Sequence, residues 1–93
     1  MLAVVVYDIS DNTQRSYLIK RLQYFGLKRI QKSVFIGYLK LKDRLDLAED
    51  LEMYLSKDSD SIIIFPLCEN CRGSILLVGD ASIPNNELTY RFL

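Results

Sequence analysis

Few side chains in this sequence can do chemistry, which makes each of them informative. There is no histidine, so the usual general base, the serine–histidine and cysteine–histidine nucleophiles and most zinc chemistry are absent. Carboxylates, tyrosines, lysines, two cysteines and any bound metal remain. Asp8 is the best placed of these. It follows the apolar run Leu2 to Val6 and Tyr7, and it precedes Ile9, Ser10 and Asp11. A β-branched run bounded by turn formers reads as a buried strand, so Asp8 stands at a strand's exit. A carboxylate there either shapes the following turn or does chemistry. Alone it is a thin metal site, because magnesium takes six oxygens, usually only one or two of them from carboxylates. Two copies of Asp8 meeting across a two-fold axis would supply such a pair, and a metal held there would polarise a phosphate and acidify a bound water. Asp11 competes as ligand or as helix cap.

Two further groupings carry weaker signals. Phe35 with Arg29 and Lys32 combines an aromatic ring with positive charge, a pattern that stacks on bases and holds phosphates; the alternative is an ordinary strand residue. Cys68 and Cys71 form a single CxxC. That is half of a tetrahedral zinc site, with no histidine to complete it. It suits packed thiols, a redox-labile bridge or a zinc shared between subunits, and reduced thiols are the cytosolic default. No glycine-rich phosphate loop, catalytic triad, haem or flavin motif is present.

The elements that must position these groups follow from periodicity. Ser10 or Asp11 caps a helix from about Asn12 to Phe25, with Leu18, Leu22 and Phe25 at helical spacing, Ile19 widening the stripe and Gly26 at the terminating position. Lys28 to Leu41 alternates as β structure, in two short strands or one long one. Gly37 within it marks a bulge or a close backbone approach. Asp43 is expected to cap a second helix running to about Ser56, with Leu47, Ala48, Leu51, Tyr54 and Leu55 on one face. Ile62 to Leu67 is a strand in which Pro66 implies an unpaired position or the strand's end. Cys68 to Cys71 reads as a turn, Ser74 to Gly79 as a returning strand, and residues 80–86 as a loop. Leu88, Tyr90 and Phe92 alternate with Thr89 and Arg91 in a tail that looks for a sheet edge.

This order predicts a single α+β domain over residues 1–93, with a core over 1–79 and a loop and C-terminal strand over 80–93. The architecture expected is a ferredoxin-like, split βαβ sandwich with both helices on one face of an antiparallel sheet. The other face then carries apolar side chains that nothing in the chain covers. With 49% hydrophobic residues in 93, a face-to-face dimer is the expectation. No apolar run is long enough to span a membrane, and the N-terminus lacks a signal peptide's charged region and cleavage site, so a cytoplasmic protein is expected. The net charge is zero, but it is segregated. Residues 12–42 carry eight basic side chains and no acid, whereas residues 43–60 carry seven acids against Arg44 and Lys57. The basic stretch is either a solvated helix face or a surface that holds phosphates.

The segments VVVYDISD, Arg15, Gly26, RIQKSVFIG (Arg29 to Gly37), DSIIIFPLC (Asp60 to Cys68) and ILLVG resemble the CRISPR-associated protein 2 family in order and spacing. The resemblance covers nearly the whole chain, and the CxxC is its main departure. It implies a ferredoxin-like homodimer whose C-terminal strand adds to the partner's sheet. It also implies a part in CRISPR adaptation, bound to the CRISPR integrase during spacer acquisition. By the same resemblance Asp8 is the magnesium ligand and catalytic carboxylate of a nuclease acting on RNA or duplex DNA, and Tyr7, Arg15, Arg29, Ser33 and Phe35 support it or contact nucleic acid. Other readings of the same residues are a non-catalytic DNA-binding scaffold, a toxin-type ribonuclease outside CRISPR, and a small-molecule regulatory domain. The basic stretch speaks against the last.

Overall fold

The computed structural model describes residues 1–80 and the strand at 90–92. In chain order the elements are β1 (Leu2–Asp8), α1 (Asn12–Tyr24), β2 (Lys28–Gln31), β3 (Val34–Tyr38), α2 (Leu41–Leu51) with a 3-10 turn (Glu52–Tyr54), β4 (Ser61–Leu67), α3 (Glu69–Arg72), β5 (Ile75–Leu77) and β6 (Tyr90–Phe92). The main sheet runs β2-β3-β1-β4, and each neighbouring pair is antiparallel. This is the expected split βαβ arrangement. Among the described residues no helix is long and apolar enough to cross a membrane.

Local chemistry explains most boundaries. The Asp11 carboxylate caps α1 by accepting from the Gln14 N–H at 2.8 Å, and so it acts as a cap. Gly26 stops the helix in the left-handed region at φ 86°. Lys32 and Ser33 turn the chain between β2 and β3, which settles the hairpin against one long strand. The second helix starts one turn earlier than expected. Its N-cap is Lys40, which makes no capping bond, and Asp43 lies in the first turn, where its charge complements the helix dipole. Pro66 lies inside β4, opposite Ala3. It is tolerated because β4 is the edge strand of the sheet and its missing N–H can face outward.

Side chains alternate between the faces of β1. Ala3, Val5 and Tyr7 enter the helix-side core with Leu18, Leu22, Leu27, Phe35, Leu47 and Leu51. Burying each of the leucine, valine and phenylalanine side chains contributes about 1.5–3 kcal/mol. Leu2 and Val4 face the other way and pack with Ile36, Leu77, Ile30, Leu67 and Ile75. The chain therefore covers part of that second face with its own β5, where the sequence suggested no cover at all. Ile63 and Phe65 stay 49% and 47% exposed. The tail strand β6 pairs in parallel with β5 of its own chain, Ile75 opposite Tyr90 and Leu77 opposite Phe92, because β5 offers it a free edge. The expected loop over 80–86 and the tail's start at Leu88 and Thr89 lie outside the described residues, apart from Asp80.

One buried carboxylate ties the turn after β1 to the loop before β4, at one end of the sheet. Asp60 Oδ1 accepts from the Ser10 N–H at 3.1 Å and the Ser10 hydroxyl at 2.9 Å. Its Oδ2 accepts from the Ser56 N–H at 3.0 Å, the Ser56 hydroxyl at 3.2 Å and the Lys57 N–H at 3.1 Å. Donation first from Ser56 and then from Ser10 holds the Asp60 carboxyl well below the usual carboxylate range. Because the folded-state value is depressed, the stability from this group is complete above the unfolded value of about 4 and is lost as pH falls below it. Asp60→Asn should therefore lower the thermal midpoint at neutral pH, and its deficit against wild type should shrink on acidification through about pH 4. Melting curves at stepped pH check this, and a deficit independent of pH would contradict it. At Gly37 an added Cβ would stand 2.7 Å from Leu27 Cδ2 and 3.1 Å from Leu27 Cα. Gly37→Ala should cost about 1–3 kcal/mol of unfolding free energy, measured by denaturant titration.

Candidate functional site

Strand β1 outlasts one of its neighbours. Its pairing with β3 ends at Val6 opposite Val34, while its pairing with β4 continues through Tyr7 opposite Ile62 and Asp8 opposite Ser61. The gap beside Tyr7 and Asp8 is bridged by the hairpin turn instead. The Tyr7 N–H donates to the Ser33 carbonyl at 3.1 Å, and the Tyr7 hydroxyl donates to the Lys32 carbonyl at 3.0 Å. A cleft of about 360 Å³ opens there, lined by Tyr7, Asp8, Ile9, Arg15, Ile19, Arg29, Lys32 and Ser33. It gathers Asp8 with four of the five supporting positions that the resemblance implies.

Each wall is fixed differently. The Arg15 guanidinium leaves the first turn of α1, donates to the Ile9 carbonyl at 2.8 Å and also bonds the Asn12 side chain. It is thereby held over the turn that follows Asp8. Arg29 Nη2 donates to the Tyr7 hydroxyl at 3.4 Å, and its guanidinium lies 5.4 Å from the centre of the Phe35 ring. A cation over a ring face is attracted by the ring quadrupole, so Phe35 fixes Arg29. Asp8 itself is exposed. By strand alternation it shares the sheet face of Val4 and Val6.

Phe35 requires a correction. The sequence offered it as a stacking surface for a base, but its side chain is 0% exposed. It packs 6.2 Å, centre to centre, from Tyr7. It connects to the cleft from beneath, through its contacts with Tyr7 and Arg29. Asp60 was missed. It lies outside the cleft, yet its bonds to Ser10 hold the turn between Asp8 and the α1 cap. Only the choice of Asp at the foot of β4 hinted at it, and neighbouring Asp58 looked the same in sequence.

Magnesium fits the donor set better than zinc does. Among the described residues no group of three or more histidine, cysteine, aspartate or glutamate side chains could hold a metal. A single exposed carboxylate suits an ion that keeps most of its waters or takes phosphate oxygens. A larger cleft, about 530 Å³, has the wrong sign for phosphate. Asp43, Asp46, Glu49 and Asp50 surround Arg21 there, and Arg21 is spent on an ion pair with Asp50 at 2.5 Å. That pair raises the Arg21 guanidinium, chiefly through its hydrogen bond to Asp50.

Known proteins resemble this chain along most of its length. Residues 1–75 match the family described as CRISPR associated protein Cas2. A protein of Archaeoglobus fulgidus named CRISPR-associated endoribonuclease Cas2 1 is 41% identical over 83 residues, covering 89% of this chain and 88% of its own. A Thermoproteus tenax protein named as a CRISPR-associated endonuclease Cas1/endonuclease Cas2 fusion is 37% identical over 65 residues, covering 70% of this chain and 25% of its own. The crystal structure of a hypothetical protein, TT1823, from Thermus thermophilus superposes with a TM-score of 0.76 at 32% identity, covering 90% of this chain and 96% of its own. The family match spans the strand that carries Asp8, both cleft arginines and the Asp60 tie, and the chain belongs to the CRISPR-associated protein Cas2 family.

Proposed function

We propose that this chain binds nucleic acid through the cleft at the end of β1 and cleaves a phosphodiester there with magnesium, acting as a homodimer in CRISPR adaptation. The observation that carries this reading is the convergence of Asp8 with Arg15, Arg29 and Lys32 around one cleft. A phosphate at that place meets cations on two sides and a carboxylate able to share a metal with it. The Archaeoglobus fulgidus relative, named as an endoribonuclease, makes RNA the first substrate to test.

Asp8 would hold the ion, with its remaining positions left to water and phosphate. Bound there, magnesium would supply charge neutralisation at the phosphate and a more acidic water. The chain's own residues do the rest. Arg15 and Arg29 balance negative charge that grows on the phosphate during displacement. Tyr7 holds the backbone of the Lys32–Ser33 turn at the wall of the cleft. No histidine is available for proton transfer, which leaves that task to water.

A dimer is supported by the open part of the sheet, where Ile63 and Phe65 are half exposed on the face that Asp8 shares. A second copy placed on that face would cover them and bring a second Asp8 near the first. The outer edge of the β5–β6 ribbon would then be free to extend the partner's sheet. The Thermoproteus tenax fusion with Cas1 favours a second reading, in which the dimer is a DNA-binding scaffold docked on the integrase and Asp8 is structural.

Three measurements test these readings, and the first of them separates the two. Asp8→Asn should lower magnesium-dependent cleavage of single-stranded RNA at least about 100-fold, since changes one shell beyond a metal already cost about 10–100-fold. A chelator should have the same effect on wild type. Cleavage that survives both would overturn the metal site at Asp8, and the absence of magnesium-dependent cleavage by wild type would leave the scaffold reading. Duplex binding should weaken steeply with salt, and Arg15→Ala or Arg29→Ala should each reduce the slope of log affinity against log salt by about 1. An unchanged slope would remove these arginines from the phosphate grip. Light scattering at micromolar concentration should give twice the chain mass.

A further inference from the structure

We propose that Cys68 and Cys71 form a reversible dithiol–disulfide couple, a redox modification site at the junction of β4 and β5. Nothing in the nucleic-acid reading uses these residues. Both side chains are exposed, and their sulfurs stand 3.2 Å apart. A disulfide spans about 2.05 Å, so small side-chain movements close the gap. The backbone prepares the encounter. Cys68 is extended, at φ −77° and ψ 171°, and caps α3, and the three-residue step brings Cys71 round to the same side. The Cys71 N–H donates to Cys68 Sγ at 3.4 Å.

The two sulfurs are not equivalent. Donation from the Cys71 backbone and then from its thiol pulls the Cys68 thiol below its ordinary range, while the bond to Cys68 pushes Cys71 up. Cys68 is thus the attacking thiolate and Cys71 the resolving thiol. A closed zinc site is the weaker alternative. Structural zinc takes four ligands, and among the described residues no third ligand joins the pair. Glu69, next in sequence, is ion-paired with Arg72 at 2.5 Å.

The oxidant is an external disulfide, from a small thiol such as glutathione or from another protein. The Cys68 thiolate attacks one of its sulfurs, forms a mixed disulfide and expels one thiolate, which takes a proton from solvent. Cys71 gives its proton to solvent, and its thiolate attacks the Cys68 sulfur. The bond to the external sulfur breaks, and a second thiolate leaves and is protonated. Two protein thiols have lost two electrons and two protons, and the external disulfide has become two thiols. The new bond closes across α3, just ahead of the strand whose Ile75 and Leu77 cover part of the open sheet face.

The test uses the full-length chain in glutathione buffers of stepped ratio, quenched in acid, alkylated and weighed intact. The expected oxidised species is lighter than the reduced chain by two hydrogens, resists alkylation at both cysteines and carries no glutathione. Cys71→Ser should instead accumulate one glutathione adduct at Cys68, and Cys68→Ser should form its adduct at Cys71 more slowly. Two adducts on wild type, a disulfide between chains on a non-reducing gel, or equal rates in the two variants would each overturn the proposal. The wild-type measurement decides by itself should either variant fail to fold.

Discussion

The central strand β1 is hydrogen-bonded on both sides, and the rest of the molecule is arranged around that constraint. Doubly paired backbone in the middle of a sheet has no free donor or acceptor, so its only freedom is which face each side chain takes. Ala3, Val5 and Tyr7 serve the helices, while Leu2, Val4 and Val6 serve the opposite face. The candidate cleft arises where this double pairing stops. Tyr7 and Asp8 lose β3 as a neighbour and keep β4, and a basic turn, bonded to the Tyr7 N–H through Ser33, takes the place of β3. The site is therefore a consequence of strand length.

Positioning depends on a chain of local supports. The Asp60 carboxylate holds Ser10, Asp11 caps α1, and α1 then delivers Arg15 back over the Ile9 carbonyl. On the other wall the buried Phe35 ring lies under Arg29, which reaches the Tyr7 hydroxyl. Both cleft arginines are thus held by groups that do not themselves carry positive charge. Fixing them in advance would reduce the ordering cost of the proposed phosphate grip.

The sequence made the architecture legible because the strands and helices have distinct periods. Val4 and Val6 against Val5 and Tyr7, or Leu18 and Leu22 a turn apart, point to their own elements. What stayed hidden was long-range. The start of α2 was misplaced because Lys40 offers no capping side chain, while Asp43 imitates a cap from inside the first turn. Phe35 looked available for stacking because alternation identifies a face without saying how deeply it is covered. Asp60 could not be told from Asp58, since its partner Ser10 is fifty residues away. The cover that β5 gives to Leu2 and Ile36 depends on where a short helix sends the chain after β4, and no local signal encodes that direction.

The segregated charge also sets the distance at which the molecule can sense a polyanion. With equal numbers of acidic and basic side chains, the chain has no monopole. Its field at long range is at most that of a dipole, and the clearest local contrast is between the basic side chains of the Asp8 cleft and the acidic surroundings of Arg21. Such a field fades faster than a net charge's, and salt screens what remains beyond about 8–10 Å. A polyanion is therefore met by random diffusion and sorted only on close approach, where one orientation is attracted and the reverse is repelled. Alignment comes from the distribution of charge, at the expense of long-range capture.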